Sequence, residues 1–194
     1  RVLVLEDGQR SGDLAATAGD HAVTPDPVSA RRIEIVRGPA ALLHGSNALG
    51  GVINVVREEV PRTLPDGVSG LLALRVASVN EELSGGGTAS VALGHTAIRA
   101  ELSGRRAGET RTPLGPLPST ELSSVDLGVG TSWVDRWGYA GLAVRQQTLN
   151  YHLPGEFNGQ VIPGAHPSGV ETEARRRAAR LEALRLGRLG PFNR

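Results

Sequence analysis

Five side chains have the chemistry of metal ligands: Asp20 and His21, adjacent in a polar loop, and His152, Glu156 and His166 in a longer loop at 151–169. Imidazole nitrogen with carboxylate oxygen is an ordinary donor set for zinc, so capture of a divalent cation is the chemistry this grouping offers. Covalent catalysis has no such set. Ser46 follows Gly45 but lacks the Gly-x-Ser-x-Gly elbow and any evident base and acid partners. The stretch Gly45–Gly51 lacks the Gly-Lys-Ser/Thr ending of a phosphate loop, and Gly50 and Gly51 read as packing residues. His44, at the end of a short apolar helix, and His95, in a tight turn, are assigned no ligand role. No catalytic residue, no enzyme activity and no resident cofactor are expected.

Composition narrows the class. The chain has 194 residues with 21 basic side chains, all arginine, against 20 acidic ones, for a formal charge of +1. That balance is no nucleic-acid footprint. Cysteine is absent, which rules out disulfides and thiolate metal sites within these residues. No signal-peptide pattern is present and the chain opens on a strand, so it is expected to be an internal piece of a longer precursor. No apolar run approaches the roughly 20 residues of a membrane-spanning helix. A β-barrel is left open, because its spans are short and only half apolar.

The elements that would hold these residues change character near residue 60. Val2-Leu3-Val4-Leu5 reads as a strand entering a turn at Asp7-Gly8, and residues 9–27 as an exposed polar loop. Ile33 and Ile35 alternate with charged neighbours, as in a half-buried strand. Gly38-Pro39 stops it, Ala40–Leu43 makes one helical turn, and Gly50-Gly51 lets backbones close up before the β-branched run Val52–Val56. Residues 58–67 break every periodicity and read as a linker.

Beyond the linker the period is 2. Ile98, Ala100 and Leu102 oppose Arg99, Glu101 and Ser103; Val125, Leu127 and Val129 oppose Ser124, Asp126 and Gly128; Ala140, Leu142 and Val144 oppose Gly141 and Arg145. Weaker alternation covers 68–79 and 86–94. A soluble β-sandwich alternates too, so the period alone leaves sandwich and barrel open. The joins discriminate better: 94–96 and 134–137 are terse, 108–119 and 151–169 are long, which is the rhythm of outer-membrane barrels. Trp133, Trp137 and Tyr139 bracket one terse turn, where an aromatic girdle belongs. Glu171–Leu189 is contested between helix and strand, and its position as the next strand in the series favours strand. Its residues are strong helix formers, yet a period-2 reading sends Ala179, Leu181 and Ala183 outward with Arg180 and Glu182 inward.

From Arg31 to Val56 the order is strand, Arg-Gly-Pro turn, short apolar helix, Gly-Ser-Asn turn, Gly-Gly and strand. This wording resembles the end of the plug domain of TonB-dependent outer-membrane receptors. The resemblance implies an α+β plug fragment at 1–57, the linker at 58–67, and about six antiparallel strands of an incomplete transmembrane β-barrel at 68–194. It implies import of a scarce nutrient (a metal, a metal chelate or a siderophore, zinc among them) at the bacterial outer membrane. Partners would be outer-membrane lipid, the transported ligand and a TonB-type energy-coupling protein acting through a segment outside this chain. It also implies that plug charges pair with the inner barrel wall, with Glu34 and Arg37 facing Arg99, Glu101, Arg105 and Arg145. Within the family, Asp20-His21 and the histidines of 151–169 resemble the zinc-capturing subgroup. The rival reading is a soluble all-β binding module with a helical tail.

Overall fold

The computed structural model describes residues 2–10, 30–38, 48 and 50–186. Within them two sheets dominate. The first comprises β1 (Val2–Glu6), β2 (Gln9–Arg10), β3 (Arg32–Arg37) and β4 (Gly51–Val56), in the order β2-β1-β4-β3. β1 runs parallel to β4, and β3 runs antiparallel to it. Asp7 and Gly8 both have positive φ, 46° and 79°, the backbone of the two-residue turn that matches strand twist. Gly51 is needed for a different reason. Its φ is 141°, and a Cβ there would lie 2.4 Å from the Val36 carbonyl oxygen, so only glycine lets β3 and β4 close up. Leu3, Leu5, Ala48 and Val52 make the buried core of this block.

β3 is not the half-buried strand its alternation suggests. Ile33 is 47% exposed and Ile35 63%, because β3 is the edge of the sheet, farthest from β1. The Pro39 turn, the helix at 40–43, Ser46, His44 and the loop bearing Asp20 and His21 lie outside the described residues.

The second sheet is a six-stranded antiparallel wall: β5 (Val68–Ala77), β6 (Glu82–Leu93), β7 (Thr96–Ala107), β10 (Leu122–Asp135), β11 (Gly138–Leu153) and β14 (Val170–Arg185), each paired with the next. Small hairpins sit in the two long joins: β8 (Thr110–Thr112) with β9 (Gly115–Leu117), and β12 (Glu156–Phe157) with β13 (Gln160–Val161). Within the stretch 171–189, residues 171–185 are strand, and 187–189 lie outside the described residues. Sixteen register pairs with β11, from Leu153 opposite Val170 to Gly138 opposite Arg185, outweigh the local helix propensity. The same pairing carries β11 past 151, so His152 belongs to a strand and not to the loop where its sequence neighbours place it.

The two faces of the wall have opposite chemistry. Outward along β5 stand Leu72, Leu74 and Val76, exposed by 86, 76 and 73%. Leu127, Val129, Leu142, Val144 and Leu181 continue that face, all solvent-exposed. Inward lie Glu82, Ser84, Glu101, Ser103, Asp126, Ser132 and Gln147, all buried. A soluble domain buries its apolar face; this wall buries its polar one. Parity also divides the aromatics: Trp133 points outward and stacks on His95 at 5.2 Å, whereas Tyr139 is buried on the inner face, so it is no part of a girdle.

The upper edge of the apolar band slants across the register. It ends at Val76 on β5, Leu83 on β6, Val125 on β10, Val144 on β11 and Ala179 on β14. The row of Val76 runs through Leu83, Arg106, Ser123 and Asn150 to Glu173, so over five strand steps the edge slips six residues along β14. At about 3.3 Å per residue and about 4.8 Å per strand, that is about 20 Å in about 24 Å. A level boundary then requires strands tilted by about 40°, the tilt of membrane barrels. Replacing Val129, mid-band, with arginine is expected to destabilise the folded full-length protein in a bilayer by about 2–4 kcal/mol, measured by reversible denaturant unfolding, with Val129→Leu near neutral.

Candidate functional site at the plug–wall interface

Chain leaving β4 crosses the inner face of the wall. A Cβ at Gly130 would lie 1.9 Å from the Glu59 carbonyl oxygen, so that glycine is the gap through which the linker passes. Val60 is 1% exposed and packs with Tyr139, Ala143 and Val134. Ser132 Oγ donates to the Pro61 carbonyl at 2.5 Å, and Arg62 reaches Glu182 at 3.1 Å. Tyr139 also donates to Glu182, at 3.2 Å.

Around this crossing lies a network of arginines and carboxylates from plug, linker and wall. Arg145 on β11 sits between Glu59 of the linker at 2.6 Å and Asp126 of β10 at 2.5 Å. Arg180 on β14 lies 3.2 Å from Asp7, 3.8 Å from Glu59 and 3.6 Å from Glu182, and donates to the Glu6 carbonyl at 3.3 Å. Glu6 accepts from Arg176 of β14 at 2.5 Å and from Arg57, which is fully buried, at 3.3 Å. Asp7 Oδ1 also accepts the Arg57 and Glu58 amides at 2.7 and 3.3 Å. One turn residue thus holds the start of the linker with one oxygen and faces Arg180 with the other.

Charges so placed are costly unless matched, since moving an ion from water into protein carries a penalty of several kcal/mol. Burial pushes the Glu6 carboxyl up, but Arg57, Arg176 and Arg145 outweigh it and hold its pKa below the ordinary carboxylate value. The arrangement fixes the first sheet against the wall by ionic contacts that separate into charged groups with a high affinity for water.

Sequence reasoning expected Glu34 and Arg37 to face Arg99, Glu101, Arg105 and Arg145; among the described residues Arg145 meets the linker instead, and Glu34 bonds within its own sheet. Glu34 accepts from Arg32 and Asn54, both at 2.8 Å, and these bonds hold its carboxyl below the ordinary range. Arg37 is exposed at the end of β3. Arg99 donates to Glu101, its neighbour on the wall, at 2.8 Å, and Arg105 pairs with Glu82 at 2.8 Å. These residues do not form the contact because β3 is the far edge of the first sheet; the β1 end and its turn approach the wall instead. Glu6, Asp7, Arg57, Glu59, Arg176 and Arg180 were missed. Strand parity held the signal for two of them, since Arg176 and Arg180 share the inward side opposite Leu181.

Of the expected metal donors, Asp20 and His21 lie outside the described residues, and His152, Glu156 and His166 are not gathered. Among the described residues no three histidine or carboxylate side chains are placed to hold an ion. His152 has Glu121 at 3.9 Å and Glu171 at 4.0 Å, Glu156 begins β12, and His166 accepts the Ser168 amide at 3.4 Å.

A mixed sheet ending in a Gly-Gly strand, tied through a short crossing to a meander with a polar inner face, defines a plug segment joined to barrel strands. Residues 1–52 match the family model described as TonB-dependent Receptor Plug Domain. Among curated relatives, the hemin receptor of Yersinia pestis is 58% identical over 52 residues, 27% of this chain and 7% of that protein. The hemin receptor of Yersinia enterocolitica is 53% identical over 53 residues, again 7% of its length. Both matches therefore cover a small part of proteins far longer than this chain. Among solved structures, the pyoverdine outer membrane receptor FpvA of Pseudomonas aeruginosa aligns with 82% of this chain and 23% of its own, at TM-score 0.55 and 17% identity. The siderophore receptor PirA of Acinetobacter baumannii aligns with 93% of this chain and 36% of its own, at TM-score 0.53 and 14% identity. At those identities the likeness is one of fold: plug followed by antiparallel barrel strands.

Arg180→Ala is expected to loosen the plug by about 3–5 kcal/mol, because it leaves Asp7 facing no cation, while Arg175→Ala, from an exposed pair, costs under about 1 kcal/mol. Hydrogen exchange of the β1 amides in the full-length protein reads the difference. The pH dependence follows from the lowered Glu6 pKa. Its contribution is complete above the unfolded value of about 4.3 and is lost as pH falls through the lower folded value. Exchange of β1 is therefore expected to rise only below about pH 4, and Glu6→Gln removes that acid-dependent part. Gly130→Val, with no room beside Glu59, is expected to expose the linker to protease while leaving the wall folded.

Proposed function

We propose that this chain is the second half of the plug and the first wall strands of an outer-membrane receptor that imports an iron chelate of the siderophore or haem class. The observation that carries this reading is the inverted wall: a contiguous apolar outer face, its upper edge slanting across the register, over a buried polar interior that holds the plug and linker through ion pairs. Water does not tolerate an apolar face of this extent, and lipid requires one. That weighs against the soluble binding module. The likeness of the plug end to hemin receptors and of the fold to siderophore receptors supports the substrate class. Nothing in the described donors favours zinc over an iron chelate.

In this reading the work is binding and passage, with no covalent step. Substrate is taken up at the long-loop end, and a TonB-type coupling protein pulls on the plug. The ion pairs of Glu6, Asp7 and Glu59 with Arg145, Arg176 and Arg180 hold the plug at rest and yield by rehydration, each group regaining water as it leaves its partner. The full-length receptor, produced in a bacterial host stripped of its own iron-chelate receptors, is expected in the outer-membrane fraction and to restore growth on haem or a ferric siderophore as sole iron source. Growth on neither, or rescue of zinc limitation alone, would overturn the substrate class.

A further inference from the structure

The inner face of the wall divides in two by how its charges are matched. On β11 and β14 they meet the plug and linker: Arg145 reaches Glu59, Arg176 reaches Glu6 and Arg180 reaches Asp7. On β6 and β7 they are matched inside the wall. Glu82 accepts from Arg105 at 2.8 Å and from Asn80 and Ser84 at 3.3 Å, and Glu101 accepts from Arg99 at 2.8 Å. Among the described residues neither of these two ion pairs extends to a plug or linker side chain. Between them the inward positions of β6 carry small side chains, with Thr88 and Ser90 only half-buried. One buried group there lacks a partner. Glu101 is 5% exposed, its Oε2 accepts no hydrogen bond, and that oxygen lies over Gly128, 4.0 Å from where a Cβ would stand.

Resting on the receptor reading, we propose that the iron chelate passes between plug and wall along the inner face of β6 and β7, and that Glu101 Oε2 accepts a hydrogen bond from the hydrated chelate on the way. The energetics select this side. Drawing the plug and linker away from β11 and β14 strands Arg145 and Arg180 in a polar but water-poor interface, and an uncompensated buried charge is very costly. Drawing the plug away from β6 and β7 leaves both ion pairs whole and hands only hydroxyl groups to water. The plug therefore pivots on its ionic side and opens on the other. An orphaned carboxylate oxygen is a standing cost in the closed state, which a polar hydrogen arriving through the opening removes.

The test uses the full-length receptor in energised cells, with haem or a ferric siderophore as cargo, whichever the wild type imports. Single cysteines replace Thr88 and Ser90 on β6 and, for comparison, Ala178 on β14, which shares the register row of Thr88 and stands between Arg176 and Arg180. Labelling by a membrane-impermeant maleimide added outside should rise severalfold at 88 and 90 during transport and stay unchanged at 178. Thr88→Trp should remove most of the uptake while chelate binding to the cells is unchanged. Arg99→Leu with Glu101→Leu, which strands no charge, should slow uptake about tenfold, again with binding unchanged. A rise at 178 equal to that at 88 and 90, or full uptake by Thr88→Trp, overturns the proposal. A receptor that imports neither cargo loses the receptor reading as well, whereas one that imports a chelate with 88 and 90 silent loses only this inference.

Discussion

Along every strand of the wall, successive side chains alternate between a face that meets the plug and a face that meets the surroundings. A strand cannot change that period, so the chemistry of both environments is written into the parity of the residues. On β10 this puts Val125, Leu127 and Val129 on one side and Asp126, Gly128 and Gly130 on the other. The second set is buried although it includes a carboxylate, and the first is exposed although it is aliphatic. Everything else in the structure accommodates that inversion. The inner face needs partners for its charges, and the outer face needs a medium that accepts hydrocarbon.

Plug, linker and neighbouring wall strands supply the partners. Arg145 would be an uncompensated buried cation without Glu59 and Asp126, and Arg180 without Asp7. Because the contacts are ionic, they specify position more than they add stability; a buried pair roughly offsets its own desolvation. In the proposed receptor, that balance suits a plug held in one place at rest and released when pulled. An apolar interface of the same area would hold through the hydrophobic effect and gain nothing from the water that enters when it opens. Gly130 and Ser132 complete the fit, one by giving the linker backbone room and the other by bonding the Pro61 carbonyl.

Much of this was legible from residue order. The Arg31–Val56 wording carried the plug, the period-2 alternation carried the strands, and the alternation of terse and long joins carried their direction. What was not legible depended on long-range placement. Ile33 and Ile35 alternate as a buried strand would, yet β3 became an edge, and no local pattern reports which strand of a sheet lies outermost. For the same reason Glu34 and Arg37 were taken for the contact, when the turn at Asp7 makes it. Residues 171–185 show the opposite case. Helix propensity was strong there, and pairing with β11 along the whole strand overrode it. Parity, once the strand is accepted, places Arg176 and Arg180 correctly.

The most direct test of the inverted wall is the accessibility of nitroxide labels along β10 in the full-length receptor reconstituted in a bilayer, one cysteine substitution at a time from Ser124 to Val129. Lipid-soluble oxygen should relax the labels at 125, 127 and 129 strongly and those at 124, 126 and 128 weakly. Labels on the even positions that are reached by oxygen as readily as the odd ones, or an alternation of reversed sign, would contradict a wall that turns its aliphatic side chains to lipid.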